Sequence, residues 1–190
     1  MSKTRTNGEI DGLVAELQAI TEDTMKVFGN LSPAQLNWKP SAEQWSVGQC
    51  FEHLIKTNRG FFRSLEGAAR GGRKSSLWER VSPLSGLFGR VLVGTMSSQR
   101  KFKAPRGLKP TSSDVDAGVV GEFAGQQDEL TGLMRAAVAG ADLRRTVVTS
   151  PIAGFVTYSM FDACRMVVAH NRRHFAQAQR VTEAQGFPAA

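Results

Sequence analysis

The chain is poor in cysteine, with two in 190 residues, and nearly as poor in histidine, with three. Cys50 and Cys164 cannot build a disulfide framework, so a reducing compartment, the cytoplasm, is expected. The first ten residues hold no apolar run, so no signal peptide is expected. Charged residues at 22% and a mean hydropathy of −0.23 exclude a membrane-embedded protein and argue against wholesale disorder. Also missing are a Walker loop, a dinucleotide-binding glycine fingerprint, a nucleophile elbow and an HExxH pair. No internal repeat or low-complexity tract is present. What is there is 41% hydrophobic residues in a length that suits one domain, residues 1–190.

Acid is nearly absent from one stretch. Between Ala68 and Lys109 ten lysines and arginines face a single acid, Glu79, giving that window +9 of the chain's net +7. Such a segment suits either a solvated connection or attachment to an anionic partner, a membrane surface or a nucleic acid. Within it, LWERVSPLSGLFGRVLVG (Leu77 to Gly94) has apolar bulk flanked by bases, as an interfacial anchor would. Pro83 and the glycines leave it too broken to span a bilayer. No zinc-finger spacing or RNA-binding signature supports nucleic acid.

Apolar residues recur at helical spacing in four places. Ile10, Leu13, Val14, Leu17, Ile20, Met25 and Phe28 form one stripe over Glu9 to Phe28, and Ser32-Pro33 ends it. The connection LSPAQLNWKPSAEQW carries Trp38 and Trp45 and is expected to pack on the helices. Ser46 and Gln49 read as a capping box, opening a helix that buries Cys50, Phe51, Leu54, Phe61 and Leu65 and stops at Gly71-Gly72. A third helix is expected after Ser113 or Asp114, with Val119, Phe123, Leu130 and Met134 inward, although several glycines weaken it. Thr146 to Thr149 reads as a short extended piece, and the last helix runs from about Thr157 to Glu183. With so little strand, the fold class is all-α, and a four-helix bundle is the economical way to bury four stripes.

The chemistry rests on His53, His170 and His174. His170 and His174 are one turn apart on the stripe Ala163, Val167, His170, His174, Gln177 and Val181, the inward seam of the last helix. His53 shares its stripe with Cys50 and Phe61 on the second helix. Two imidazoles from one helix and one from another can converge on a single divalent ion: zinc, nickel, iron or copper. Three protein ligands leave a coordination position for water or substrate, and such an ion acidifies bound water or thiol. Cys50 is either a fourth ligand or, the favoured reading, a small buried hydrophobe. Cys164 reads as packing, Asp162 as a helix-start cap or a support for His170, and Glu52 as a surface charge. With the three histidines committed, none is free as general base.

LSPAQLNWKPSAEQWSVGQCFEHL resembles the opening signature of the DinB-like superfamily, which includes the YfiT-type metal-dependent hydrolases. The residues that carry the resemblance are Trp38, Pro40, Trp45, Ser46, His53 and Leu54. Lys101 to Pro110 resembles its crossover segment, and the last helix, ending in His170, His174 and Gln177, resembles its final one. The resemblance implies an up-down-down-up four-helix bundle and a His53/His170/His174 site for nickel or zinc, with iron or manganese as further candidates. It also implies a homodimer. Residues 71–110 form a basic insertion or crossover, and Gly71 to Met96 is a departure from the pattern, a long excursion after the second helix.

Three functions are expected in turn. The first is a metal-dependent enzyme that activates water for hydrolysis of a small-molecule substrate, or a low-molecular-weight thiol for S-transfer, with no catalytic residue named beyond the ligands. The second is a non-catalytic, stress-associated metal-binding module in which the ion ties helices together. The third is peripheral attachment to membrane or nucleic acid through residues 68–109.

Overall fold

Residues 3–71, 77, 79, 94, 110, 114–151 and 155–189 are described in the computed structural model. They form five helices and a two-stranded sheet, in the order α1 (Lys3–Phe28), α2 (Pro33–Asn37), α3 (Val47–Ala69), α4 (Val119–Gly140), β1 (Val147–Thr149), β2 (Thr157–Ser159) and α5 (Met160–Thr182). The basic window beyond Gly71 lies outside the described residues, apart from Leu77, Glu79 and Gly94, and so does most of the Lys101–Pro110 motif. No helix among the described residues is long and apolar enough to cross a membrane.

Local sequence sets the helix starts. The Ser46 hydroxyl accepts from the Gln49 amide, and the Gln49 side chain accepts from the Ser46 amide, closing the expected capping box at the head of α3. The same device opens α2, where Ser32 and Gln35 form a second box with Pro33 at the first helical position. This short helix breaks the connection that sequence periodicity leaves as loop. Ser159 caps α5 by accepting from the Asp162 amide and donating to the Asp162 carboxylate. Thr157 to Ser159, expected as the first residues of that helix, instead pair antiparallel with β1, Val148 opposite Tyr158.

Two other boundaries differ from the periodicity. α1 starts at Lys3 rather than Glu9, because Arg144 holds its first turns by bonding Thr6 and Glu9 while lying over the Phe161 ring. α4 starts at Val119 rather than after Ser113 or Asp114. Asp116 accepts from the Gly118 amide in a turn just before it, and Gly118 itself offers no side-chain cap. Asn37 pins that turn from α2, its amide bonding both the N–H and the carbonyl of Val115.

α1 and α3 each pack against both α4 and α5. The ends of α3 and α4 meet so closely that a Cβ on Gly140 would stand 2.3 Å from the Ala69 carbonyl oxygen. Gly71 follows at φ +66, the left-handed turn that the sequence assigns to this stop. Two apolar clusters fill the interior. One joins Ile10, Val14 and Leu17 of α1 to Leu65, Leu130, Met134, Tyr158 and Val167. The other joins Phe28, Leu36, Val47, Phe51, Leu54, Phe123, Ala178 and Val181. Each of the large side chains among them contributes roughly 1.5–3 kcal/mol on burial. Buried polar residues fall between the two clusters on all four long helices: Thr24, His53, Thr57, Asn58, Gln126, Gln127, Asn171 and His174.

Candidate metal centre

The three histidines meet inside this polar zone. His53 projects from the second turn of α3, whose start the Ser46 box fixes, and His170 and His174 from successive turns of α5. One ring nitrogen from each can be chosen so that all three lie within 4.8 Å of one another, and the Nε2 atoms of His53 and His170 are 3.2 Å apart. His53 and His174 are buried, and His170 is partly exposed. Among the described residues this is the one group of three or more histidine, cysteine or acidic side chains close enough to share an ion.

Burial, then the neighbouring His53 and Arg173, pull the His170 pKa down to about 3. Burial also holds His174 well below the ordinary histidine value, with His170, His53 and Arg173 adding to it and a Gln177 hydrogen bond opposing. Both imidazoles are therefore neutral at pH 7, the form that donates to a metal. The Thr57 hydroxyl donates to the His53 and Leu54 carbonyls and stands 3.5 Å from His170 Nδ1. Its free lone pair suits an Nδ1–H, which leaves the His170 Nε2 lone pair facing His53.

A divalent ion fits this arrangement. Bonds near 2.1 Å at tetrahedral angles hold two nitrogens about 3.4 Å apart, close to the His53–His170 spacing. Two neutral Nε2 lone pairs that close repel unless a proton or a cation sits between them. His174 Nδ1 is buried with no hydrogen-bond partner, a costly state for a polar atom and one that suits a donor set awaiting an acceptor.

The other candidates have different places. Cys50 is fully buried in the second apolar cluster, and burial pushes its thiol up to about 12, so it packs as a hydrophobe and takes no part in the histidine group. Cys164 is equally buried and likewise at about 12. Asp162 belongs to the α5 cap and pairs with Arg165. Glu52 pairs with Lys56 one turn on.

Sequence periodicity missed the groups around the ligands. Trp45, the residue before the α3 cap, lies 5.7 Å from His174 in a stacked pair inclined by 14°, and 5.0 Å from His53. An amide chain also crosses the bundle beside the ligands. Asn58 Nδ2 donates to Asn171 Oδ1 (3.2 Å), and Asn171 Nδ2 donates to Gln127 Oε1 (2.9 Å). A buried amide at Asn58, one turn after His53, and another at Asn171, beside His170, were the available signals. Asn58 has Leu54, Ile55, Phe61 and Phe62 at helical spacing, and Asn171 has Val167, Val168 and Phe175.

A curated relative is the uncharacterized protein YuaE of Bacillus subtilis (strain 168). It is 25% identical over 166 residues, which cover 85% of this chain and 91% of that protein. No solved structure matches. The family model for the DinB superfamily matches residues 16–178, a span that takes in all three histidines, α3 and α4 whole, the second half of α1 and most of α5, and the chain belongs to that superfamily.

Proposed function

We propose that the chain is a divalent-metal-dependent enzyme in which His53, His170 and His174 hold nickel or zinc. The observation that carries this reading is the convergence of the chain's only three histidines, from two helices, within 4.8 Å. The ion supplies Lewis acidity, which suits hydrolysis of a small substrate or transfer of a low-molecular-weight thiol. The protein's own part is to keep His170 and His174 neutral, chiefly by burial, and to aim the ligands through the Ser46 box and Thr57. His170, the partly exposed member, marks the side from which a substrate reaches the centre.

The up-down-down-up order of the long helices belongs to this reading. It is supported by the meeting of the α3 and α4 ends at Ala69 and Gly140, and by the contact of His53 with His174 while Asn58 contacts Asn171. A homodimer in the cytoplasm is the expected setting.

The test is elemental analysis of protein purified after growth with zinc, nickel and manganese, joined to a panel of esters, amides and thiol acceptors. About one equivalent of ion in the parent chain is expected, and His53→Ala, His170→Ala and His174→Ala each lose it together with turnover. A chain carrying no stoichiometric metal overturns the proposal. Bound metal that raises the melting temperature, with nothing turned over, replaces the enzyme with a module in which the ion ties α3 to α5.

A further inference from the structure

We infer that Trp45 is a positioning residue of the metal centre, an aromatic wall whose face holds the ring planes of His53 and His174 and strengthens their grip on the ion. The inference rests on the metal reading above.

Trp45 occupies the last position before the α3 cap. Its backbone is adjacent to Ser46, which is fully buried and bonded both ways to Gln49, so the indole starts from a fixed point. From there it reaches across to α5. The 14° inclination and 5.7 Å centroid separation from His174 describe an offset stack, while the 57° inclination to His53 at 5.0 Å presents a tilted face. Trp45 thus touches one ligand from each of the two helices that supply them. His170 approaches His53 and His174 edge-on, at centroid separations of 5.1 and 4.6 Å.

The chemistry of the stack depends on what the imidazole is bonded to. An imidazole that donates its lone pair to a divalent cation becomes electron-poor, and an electron-rich indole face attracts such a ring as it attracts a cation. Contact between Trp45 and His174 is therefore stronger with metal present than without it. By thermodynamic linkage, whatever the ion gains from that contact is lost when the indole is removed. A leucine at position 45 fills much of the space without the ring's charge distribution, and a phenylalanine restores part of it.

The experiment uses the full chain, stripped with chelator and titrated with cobalt(II) and zinc(II). The readouts are cobalt visible absorption and tryptophan emission. The chain has three tryptophans, so single Phe replacements identify which one senses the metal. Cobalt is expected to quench part of the emission in the parent chain and in Trp38→Phe, and this quenching is expected to vanish in Trp45→Phe. Trp45→Leu weakens cobalt and zinc binding roughly three- to thirty-fold and shifts the cobalt bands, while Trp45→Phe recovers most of the affinity.

If Trp45→Leu binds both ions as tightly as the parent with unchanged cobalt bands, the inference is overturned while the metal reading stands. Should Trp45→Leu not fold, the emission of Trp45→Phe decides instead. Full quenching retained there overturns the inference, and its selective loss supports it. A parent chain that binds cobalt no better than His170→Ala overturns the metal reading, and the role of Trp45 with it.

Discussion

The two helices that carry histidine are built differently from the two that brace them. α3 and α5 open on serine caps whose hydroxyls accept from the amide three residues on. Gly48 and Gly60 of α3 stand where neighbours press. A Cβ at Gly48 would come within 3.1 Å of Val115, and one at Gly60 within 2.9 Å of Pro151. α5 has no glycine at all. In α1 and α4, by contrast, Gly8, Gly12, Gly121, Gly125 and Gly132 face open space, and α4 starts without a side-chain cap. Short-range bonds therefore set the level of each ligand, whereas the bracing helices are held by burial, which tolerates imperfect local sequence.

The exception within α4 gives the sharpest way to break this contrast. Gly140→Ala places a methyl group against the Ala69 carbonyl, and neither backbone can yield without parting α3 from α4. A loss of about 2–3 kcal/mol in urea unfolding is expected. An unchanged midpoint would show that the bracing pair tolerates change even where backbones touch.

Acid tests the ligand pair in the metal-free chain. Well above pH 6.5 His170 and His174 are neutral in both folded and unfolded states, so nothing is lost. As pH falls below 6.5, the unfolded chain takes up protons that His170, held down to about 3, and His174, held well below the ordinary value, refuse when folded. Stability then declines by up to about 1.4 kcal/mol per pH unit for each group. Urea midpoints at pH 7, 5.5 and 4 measure the slope, and His170→Asn is expected to flatten it.

Thr57→Val removes the oxygen that faces His170 Nδ1 while keeping its shape, so metal affinity is expected to fall about ten- to a hundred-fold, with Thr57→Ser close to the parent. Competition with a chelating dye reads the difference. The smallest effect has the opposite sign. Gly125→Ala meets nothing within 4 Å and is expected to raise stability by about 0.5–1 kcal/mol in the same urea assay.

The contrast also explains what was legible in the sequence. The Ser46–Gln49 box and the three-four spacing of His170 and His174 are local signals, and both placed their residues correctly. The short extended piece before α5 was legible in Val147 and Val148, but its partner at Thr157–Ser159 was not. A two-stranded pairing needs a neighbour that periodicity cannot supply. α2 was hidden because five residues are too few for a stripe, although Ser32, Pro33 and Gln35 spell its cap. The α4 start was misplaced because a turn, closed by Asp116 on the Gly118 amide, separates the expected cap position Asp114 from the first helical residue, Val119. Trp45 was expected to pack on the helices and does, but its place on the histidine rings, like the amide chain, was not legible, for a different reason. No spacing rule tells a residue before one helix that it will lie on the rings of another, 129 positions away at His174.

That amide chain has a mechanical meaning. Asn58, Asn171 and Gln127 stand on three different helices, so sliding any one of them by a single turn, about 5.4 Å, disconnects the relay and strands polar atoms in a dry interior. Leucine against leucine would allow such a slide at small penalty, since one greasy contact replaces another. The amides work as a vernier that admits one alignment of the rods, and at that alignment the imidazoles of α3 and α5 come level.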